Sequence, residues 1–394
     1  MSVPQPGRAR DDLLCFRPAR LKATEFGDGV LGAGSAEIDF APPSAISQRL
    51  RAVINRGDLG YALPRDLIDL SEATSSWHEH HMAWRPKPEN LVVAPDITSA
   101  FAFVLMSSAR PAGPVLVPRP GYPKLRRVAS ELGFEVLEYA VHRTPDGHAY
   151  ALDEIEEHLR GRRRGLVVLL HPHNPTGHLA QVAEMEAIGR IVERHGALVF
   201  SDEVHAPLWL EDEPHVPYAS SSSAARQHTV TALSSSKAWG LSGARVTQLV
   251  LPDGATGIWA RESSLLSFLE GSVSALGVQA AIAAYEHGDP WLAALRSRLR
   301  ENRDLITSFA AGAVISDYVP PGSSFLAWMS LTKDTTPETT AQFLQRRARL
   351  GVLGAEEFGS SCTTWFRLNF GSTPEVIERC LSLIAYAATI NEDA

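Results

Sequence analysis

Cysteine and lysine are the scarce residues of this 394-residue chain, with three of the first, Cys15, Cys362 and Cys380, and five of the second, at 22, 87, 124, 237 and 333. Three scattered cysteines exclude a disulfide framework or a cysteine-rich zinc site, and they are expected to be reduced and structural. So few lysines leave few candidates for chemistry that needs an amine. Long hydrophobic runs are absent too, because every apolar stretch meets a charge, Gly or Pro well before the ~20 residues of a bilayer span. The opening MSVPQPGRARDDLL lacks an apolar stretch behind its basic residues, so it does not read as a signal peptide, and the cytoplasm is the expected location. A net charge of −8 argues against general affinity for nucleic acid or anionic membrane. The basic run RGRRR at 160–164 reads as a solvated loop before a strand.

What is present is the composition of a soluble globular protein, 44% hydrophobic and 21% charged, too long for one core. From residue 90 onward, short apolar runs bounded by Gly, Pro or polar residues alternate with amphipathic stretches. LVVAP (91–95), GPVLVP (113–118), GLVVLLHP (165–172), GALVFSD (196–202) and TVTALSS (229–235) have the pattern of buried parallel strands. Residues 98–109, 122–132 and 181–195 between them read as helices. The order implies an α/β fold with a large, mainly parallel-sheet domain at 46–285. A smaller α+β domain is expected at 286–394, with helices at 290–311 and 336–350 and strands at 323–331 and 364–370. A long helix from 275 to 285 connects the two, and residues 1–45 are expected to pack on the small domain.

In such sheets ligands collect at the carboxyl ends of the strands. There the sequence delivers Asn174 in HPHNPTG, Asp202 in SDEVH, and Lys237 and Arg245 in SSSKAWGLSGAR. An amide, a carboxylate, a lysine and an arginine on one edge suit a phosphorylated pyridine aldehyde, pyridoxal 5'-phosphate (PLP). Asp202 can keep the ring nitrogen protonated, Asn174 can donate to the phenolic oxygen, and Lys237 can form an imine with the aldehyde. Ser234, Ser236 and Arg245 are candidates for the phosphate, together with backbone amides at the helix start near Ile97 and Thr98. Asn-Pro-Thr-Gly alone is a good turn, and a strand-ending Asp alone is often an N-cap. Order and spacing lift the set above those readings. The histidines of HEHH (78–81) are read as a solvated helix face with no carboxylate partner, so no metal site is expected. His173, next to Asn174, is expected to border the substrate.

Together HNPTG, SDEVH, SSSKAWGLSGAR and WFRLNFG resemble the fold-type I PLP enzymes, the aspartate aminotransferase superfamily (class I/II), over residues 35–385. The resemblance implies that Tyr122 stacks on the cofactor ring, that Arg367 binds the substrate α-carboxylate, and that His205 stands where many aminotransferases have tyrosine. It further implies that Tyr61, after Gly60, reaches the phosphate of a neighbouring subunit, hence a homodimer with shared active sites. Within the superfamily the chain is most similar to the MalY/PatB-type, cystathionine β-lyase-like carbon-sulfur lyases, on IDFAPPSAI, His205, AAYEHGDPWL and SSFLAWM. It departs from that branch at Gly34 and Glu37, where Trp and Asp are usual, at Phe325, where Tyr is common, and at Asp96-Ile97-Thr98. These positions, including Phe325, border the substrate space. The resemblance implies β-elimination from an S-substituted cysteine to thiol, pyruvate and ammonia, with a bulky thioether of specialised metabolism favoured. Transamination and decarboxylative oxidation to an aldehyde are alternatives on the same residues. A non-enzymatic regulatory role is disfavoured because no cofactor residue is lost.

Overall fold

The structure, a computed structural model, describes residues 13–107, 112–162, 164–252 and 264–389. The opening residues 1–12, the expected helix end at 108–109 and Arg163 of the basic run lie outside these. At the centre is an eight-stranded sheet whose strands, in chain order, are β1 (Leu91–Ala94), β2 (Val115–Arg119), β3 (Val136–Thr144), β4 (Gly147–Tyr150), β5 (Leu166–Leu170), β6 (Leu198–Asp202), β7 (Thr229–Leu233) and β8 (Thr247–Val250). Side by side they run β1-β8-β7-β6-β5-β2-β3-β4. Strands β7, β6, β5, β2 and β3 are parallel, β8 is antiparallel to both its neighbours, and β4 closes a hairpin on β3.

Strands β5, β6 and β7 are buried at every position, as parallel strands covered on both faces must be. Alternation sends Phe200 to one face, where its ring meets Phe101 of the helix Ile97–Met106 at 4.9 Å between centroids. Val199 points to the other face, among Ile188 and Val192 of the helix Val182–Arg194. Each such side chain contributes about 1.5–3 kcal/mol by leaving water. Sequence patterning missed β3, β4 and β8. Strand β3 is only half-buried and carries Glu138, His142 and Arg143, so it has no apolar run, and β8 is four residues long.

The C-terminal part is a four-stranded antiparallel sheet of β9 (Ile315–Tyr318), β10 (Leu326–Leu331), β11 (Leu353–Gly354) and β12 (Trp365–Asn369), ordered β9-β10-β12-β11. The N-terminal segment is tied to it. Leu31–Gly32 pairs with Leu350–Gly351, and the Asp39 amide donates to the Gly371 carbonyl at 2.7 Å. The buried Asp39 carboxylate accepts from the Ala19 amide at 2.9 Å and from Lys22 Nζ at 2.6 Å, so Lys22 is committed to structure.

Two expectations need correction. HEHH is only in part a solvated face: Glu79 and His80 are exposed, but His78 is buried, its Nδ1 2.8 Å from the Thr74 carbonyl, and burial lowers its pKa to about 4. His81 does have a carboxylate partner, Asp289 at 2.9 Å, which also accepts from the Trp77 indole at 2.8 Å; the pair ties the helix Pro64–Met82 to Asp289–Ala310. Period and charge could not show this, because Asp289 is brought there by the tertiary fold. Of the cysteines, all free, only Cys380 is packed inside, while Cys15 and Cys362 are exposed.

The turn after β5 depends on Gly177. Its φ is +70°, and a Cβ there would lie 2.3 Å from Pro321 Cβ and 2.9 Å from the Ser323 carbonyl. Left-handed strain and overpacking together give an expected loss of about 2–4 kcal/mol for Gly177→Ala, measured by denaturant unfolding. A change within about 0.5 kcal/mol, the range of a neutral surface substitution, would contradict that packing.

Candidate active site

Because β8 runs against its neighbours, the residues before it arrive at the same sheet edge as the carboxyl ends of β1, β2, β5, β6 and β7. That edge, capped by the N-terminal segment and by residues from β11 and β12, lines a cavity of about 510 Å³. Ile97, Thr98, Tyr122, Asn174, Asp202, His205, Ser236, Lys237, Arg245 and Arg367 all line it, so ten of the sequence candidates converge.

Lys237 sits on a loop anchored by Trp239, whose indole donates to the Gly288 carbonyl at 3.2 Å and whose ring meets Trp77 and Tyr285 edge-on. Its Nζ donates to the Ala36 carbonyl at 2.9 Å. Burial, reinforced by the Arg367 charge, lowers its pKa to about 8, against the opposing pull of Glu37 and Asp202. The amine therefore still carries a proton for most of the time at neutral pH, but gives it up far more readily than an ordinary lysine.

Asp202 ends β6, buried, with a single hydrogen bond from the Val204 amide at 3.3 Å. Burial pushes its carboxyl up to about 7, only partly offset by that amide and by Lys237. The next residue faces the opposite way. Glu203 accepts from Ser201 Oγ at 2.7 Å and the Tyr218 amide at 3.0 Å, and lies 2.9 Å from His215 Nε2, which holds the strand end in place.

Arg367 on β12 is 4% exposed. One Nη donates to Asn174 Oδ1 at 3.0 Å and the other to the Gly34 carbonyl at 2.8 Å, while the guanidinium lies 4.8 Å from the Phe358 ring centroid. Its Nε has no partner among the described residues. Burial lowers its pKa to about 10, so it remains a cation at neutral pH. Tyr122 is raised to about 12 by burial and by Asp202 and Asp96, and stays a neutral phenol. His205 has Nδ1 3.0 Å from Ser324 Oγ and its ring 5.7 Å from Phe325; burial, Lys237 and Arg367 hold it neutral. At the start of Ile97–Met106, Asp96 caps the helix by accepting from the Ser99 amide at 2.8 Å and forms an ion pair with Arg245.

Four candidates lie elsewhere. Ser234 is buried behind the cavity, donating to the Val246 carbonyl at 2.8 Å and bonded to Ser236 Oγ at 2.8 Å. Phe325 backs His205 without lining the cavity, and His173 is buried against Thr176 and Tyr150. Tyr61 is 88% exposed, away from this chain's own cavity. Sequence reading missed Glu25, Lys124, Glu357 and Phe358 in the lining. No motif marks them; only Phe358, an apolar residue in the acidic AEEF turn, carries a local signal.

The donor set fits PLP. A buried carboxylate with no cation in contact needs a proton-bearing partner such as a pyridinium, and a lysine whose pKa burial lowers to about 8 stands in the same cavity. At the start of Ile97–Met106 the Ser99 amide is taken by Asp96, while the Ile97 and Thr98 amides have no acceptor within the helix and are placed where an anion could bind.

The family model for aminotransferases of class I and II matches residues 28–384, and the chain belongs to that family. It is 27% identical over 366 residues to the cystathionine β-lyase of Corynebacterium glutamicum, covering 93% of this chain and 95% of the relative. It is 25% identical over 356 residues to the cystathionine β-lyase PatB of Bacillus subtilis strain 168, covering 89% and 91%. In fold it matches the PLP-bound C-S lyase of Staphylococcus hominis with a TM-score of 0.83 at 21% identity, over 95% of this chain and 97% of that one. The chain is thus a fold-type I enzyme, and its cofactor is PLP.

Treatment of ligand-free protein with PLP and then borohydride is expected to place the adduct on Lys237, located by peptide mass mapping. Only the neutral amine reacts, so the labelling rate should rise as pH passes upward through about 8. An adduct on Lys22, Lys87, Lys124 or Lys333 would refute the assignment.

Proposed function

We propose that this enzyme is a carbon-sulfur β-lyase that cleaves an S-substituted cysteine. The observation that carries the reading is the buried Lys237 amine, its pKa lowered to about 8, beside the Arg367 cation and the buried Asp202, in a chain whose curated relatives include cystathionine β-lyases. With the cofactor bound, Asp202 would keep a proton at the pyridine nitrogen, Asn174 and His205 would stand on the side of the phenolic oxygen, and Tyr122 would lie against the ring. Ser236, Arg245 and the amides at Ile97 and Thr98 would hold its phosphate, and Ser234 is bonded to Ser236. Bound here, PLP supplies the electron sink that takes up the charge left when the substrate Cα-H bond breaks. Arg367 fixes the α-carboxylate, and the Lys237 amine takes the α-proton. The sulfur departs with the C-S electron pair as a thiolate and is then protonated. With one water the S-substituted cysteine yields thiol, pyruvate and ammonium. Transamination would use the same residues; the relatives favour elimination.

The assembly is proposed to be a homodimer. Ile54, Leu59, Tyr61, Leu63 and Ile68 are 52–88% exposed along one stretch, an apolar surface of the kind that marks an interface. The partner subunit's Tyr61 would reach the phosphate. Among the described residues no helix is long and apolar enough to cross a membrane. The free cysteines agree with a cytoplasmic location.

S-alkyl cysteines are expected to give thiol and pyruvate with no 2-oxo acid added, because elimination regenerates the cofactor in each cycle. Turnover that stops after one equivalent unless a 2-oxo acid is present would establish transamination instead. Arg367→Ala should raise KM about 10–100-fold, the loss of a charge-assisted bidentate contact worth ~1.5–3 kcal/mol. Asp202→Asn should lower kcat about 10²–10³-fold, as the loss of one preorganised electrostatic contact does. For the assembly, Leu63→Asp should shift sedimentation from dimer to monomer; a wild-type monomer with full activity would remove the shared-site reading.

A further inference from the structure

After Asp202, Lys237 and Arg367 are assigned, and Asp96 is paired with Arg245, four ionisable side chains other than the neutral His205 and Tyr122 still line the cavity: Glu25, Glu37, Glu357 and Lys124. That leaves three carboxylates against one ammonium. None of the three carboxylates belongs to an ion pair among the described residues. They come from different parts of the chain: Glu25 caps the short helix Arg20–Thr24, Glu37 lies on the N-terminal segment, and Glu357 is on the turn Ala355–Phe358. Glu25 and Glu357 are exposed and Glu37 half-buried, whereas Arg367 is only 4% exposed. The cavity is therefore closed at the arginine and acidic toward its mouth. A substrate whose α-carboxylate sits on Arg367 must send its sulfur substituent toward that mouth.

The position of Glu25 is fixed by the fold. Its Oε2 accepts from the Ser35 amide at 2.9 Å. It can approach because residue 34 is glycine: a Cβ there would stand 3.0 Å from Glu25 Oε2 and 2.6 Å from the Phe26 ring. The Gly34 carbonyl in turn accepts from Arg367 at 2.8 Å. One glycine thus sets both the arginine that receives the α-carboxylate and the acid beside it. The buried Nε of Arg367, without a partner among the described residues, remains for the α-carboxylate, which fixes the substrate's other end toward the acids.

We propose that Glu25, Glu37 and Glu357 select substrates whose sulfur substituent ends in a cation, such as an amine or guanidinium, over neutral or anionic substituents. This rests on the carbon-sulfur lyase reading for the reaction, but not for the binding preference.

The preference can be measured with amino acids that have no leaving group. L-lysine, L-norleucine and L-2-aminoadipate present a cation, a methyl and a carboxylate on side chains of matched length. Calorimetric titration of the holoenzyme is expected to give lysine binding about tenfold tighter than norleucine, with aminoadipate weakest, and a gap that narrows with added salt. Glu25→Gln, Glu37→Gln and Glu357→Gln should each reduce the lysine-to-norleucine ratio, and the triple variant should bring it near one. Equal binding of lysine and norleucine by the wild-type enzyme, or tighter binding of aminoadipate, overturns the proposal without any variant. Thiol release from S-(3-aminopropyl)-, S-butyl- and S-(2-carboxyethyl)-L-cysteine is then compared. A lysine preference with no thiol from any of the three would sink the lyase reading and leave the charge selection standing. Thiol from all three at equal kcat/KM would do the reverse.

Discussion

Placing the Asp202 carboxylate at the buried end of β6, with one long hydrogen bond and no cation in contact, is the constraint around which the site is organised. An isolated carboxylate in a closed interior is costly, and its pKa rises to limit that cost. The arrangement persists because the neighbouring side chain is fully satisfied. Glu203, facing away, is bonded to Ser201, His215 and Tyr218, so the backbone carrying Asp202 has little freedom to turn it toward water. A protonated ring nitrogen supplies the missing charge. Cofactor binding and the stability of that strand end are therefore linked.

Burial acts with opposite sign on the lysine. The same closed cavity that raises the acid lowers the amine, and Arg367 adds to the effect. The result is an amine whose pKa, about 8, lies nearer neutrality than an ordinary lysine's, with a cation beside it to receive the substrate carboxylate. Neither property belongs to lysine or arginine as residue types; both come from dehydration in a shared space. Arg367 keeps its charge because Asn174, Gly34 and the Phe358 ring replace much of its water.

The N-terminal segment closes this space from above, and its attachment is indirect. The buried Lys22–Asp39 bridge and the Asp39 amide bond to Gly371 hold it to the C-terminal sheet. That attachment brings Ala36 to Lys237 and Gly34 to Arg367. Residues more than three hundred positions apart in the chain thus form one wall of the cavity.

Much of this was legible in the chain itself. Short apolar runs bounded by Gly, Pro or polar residues marked β1, β2, β5, β6 and β7, since a strand covered on both faces admits few polar positions, such as the buried Ser201 and Thr231. The polar residues following them had to lie on one edge, so Asn174, Asp202 and Lys237 could be named before any coordinates. Other features were decided only by tertiary structure. The reversed β8, half of it Thr247 and Gln248, has no continuous apolar run to register as a pattern, yet it brings Arg245 to the site, where Asp96 takes up its charge. His78 sits in a polar run and is nonetheless core, because Trp84, and Tyr285 of the helix Ala275–His287, pack against its ring. Phe325 and His173 stand one layer behind the cavity, and Glu25 reaches it only through the space above Gly34. A single sequence records which side chains need burial and which can carry charge. Which charges share a cavity depends on long-range packing, and that packing sets their pKa values and partners here.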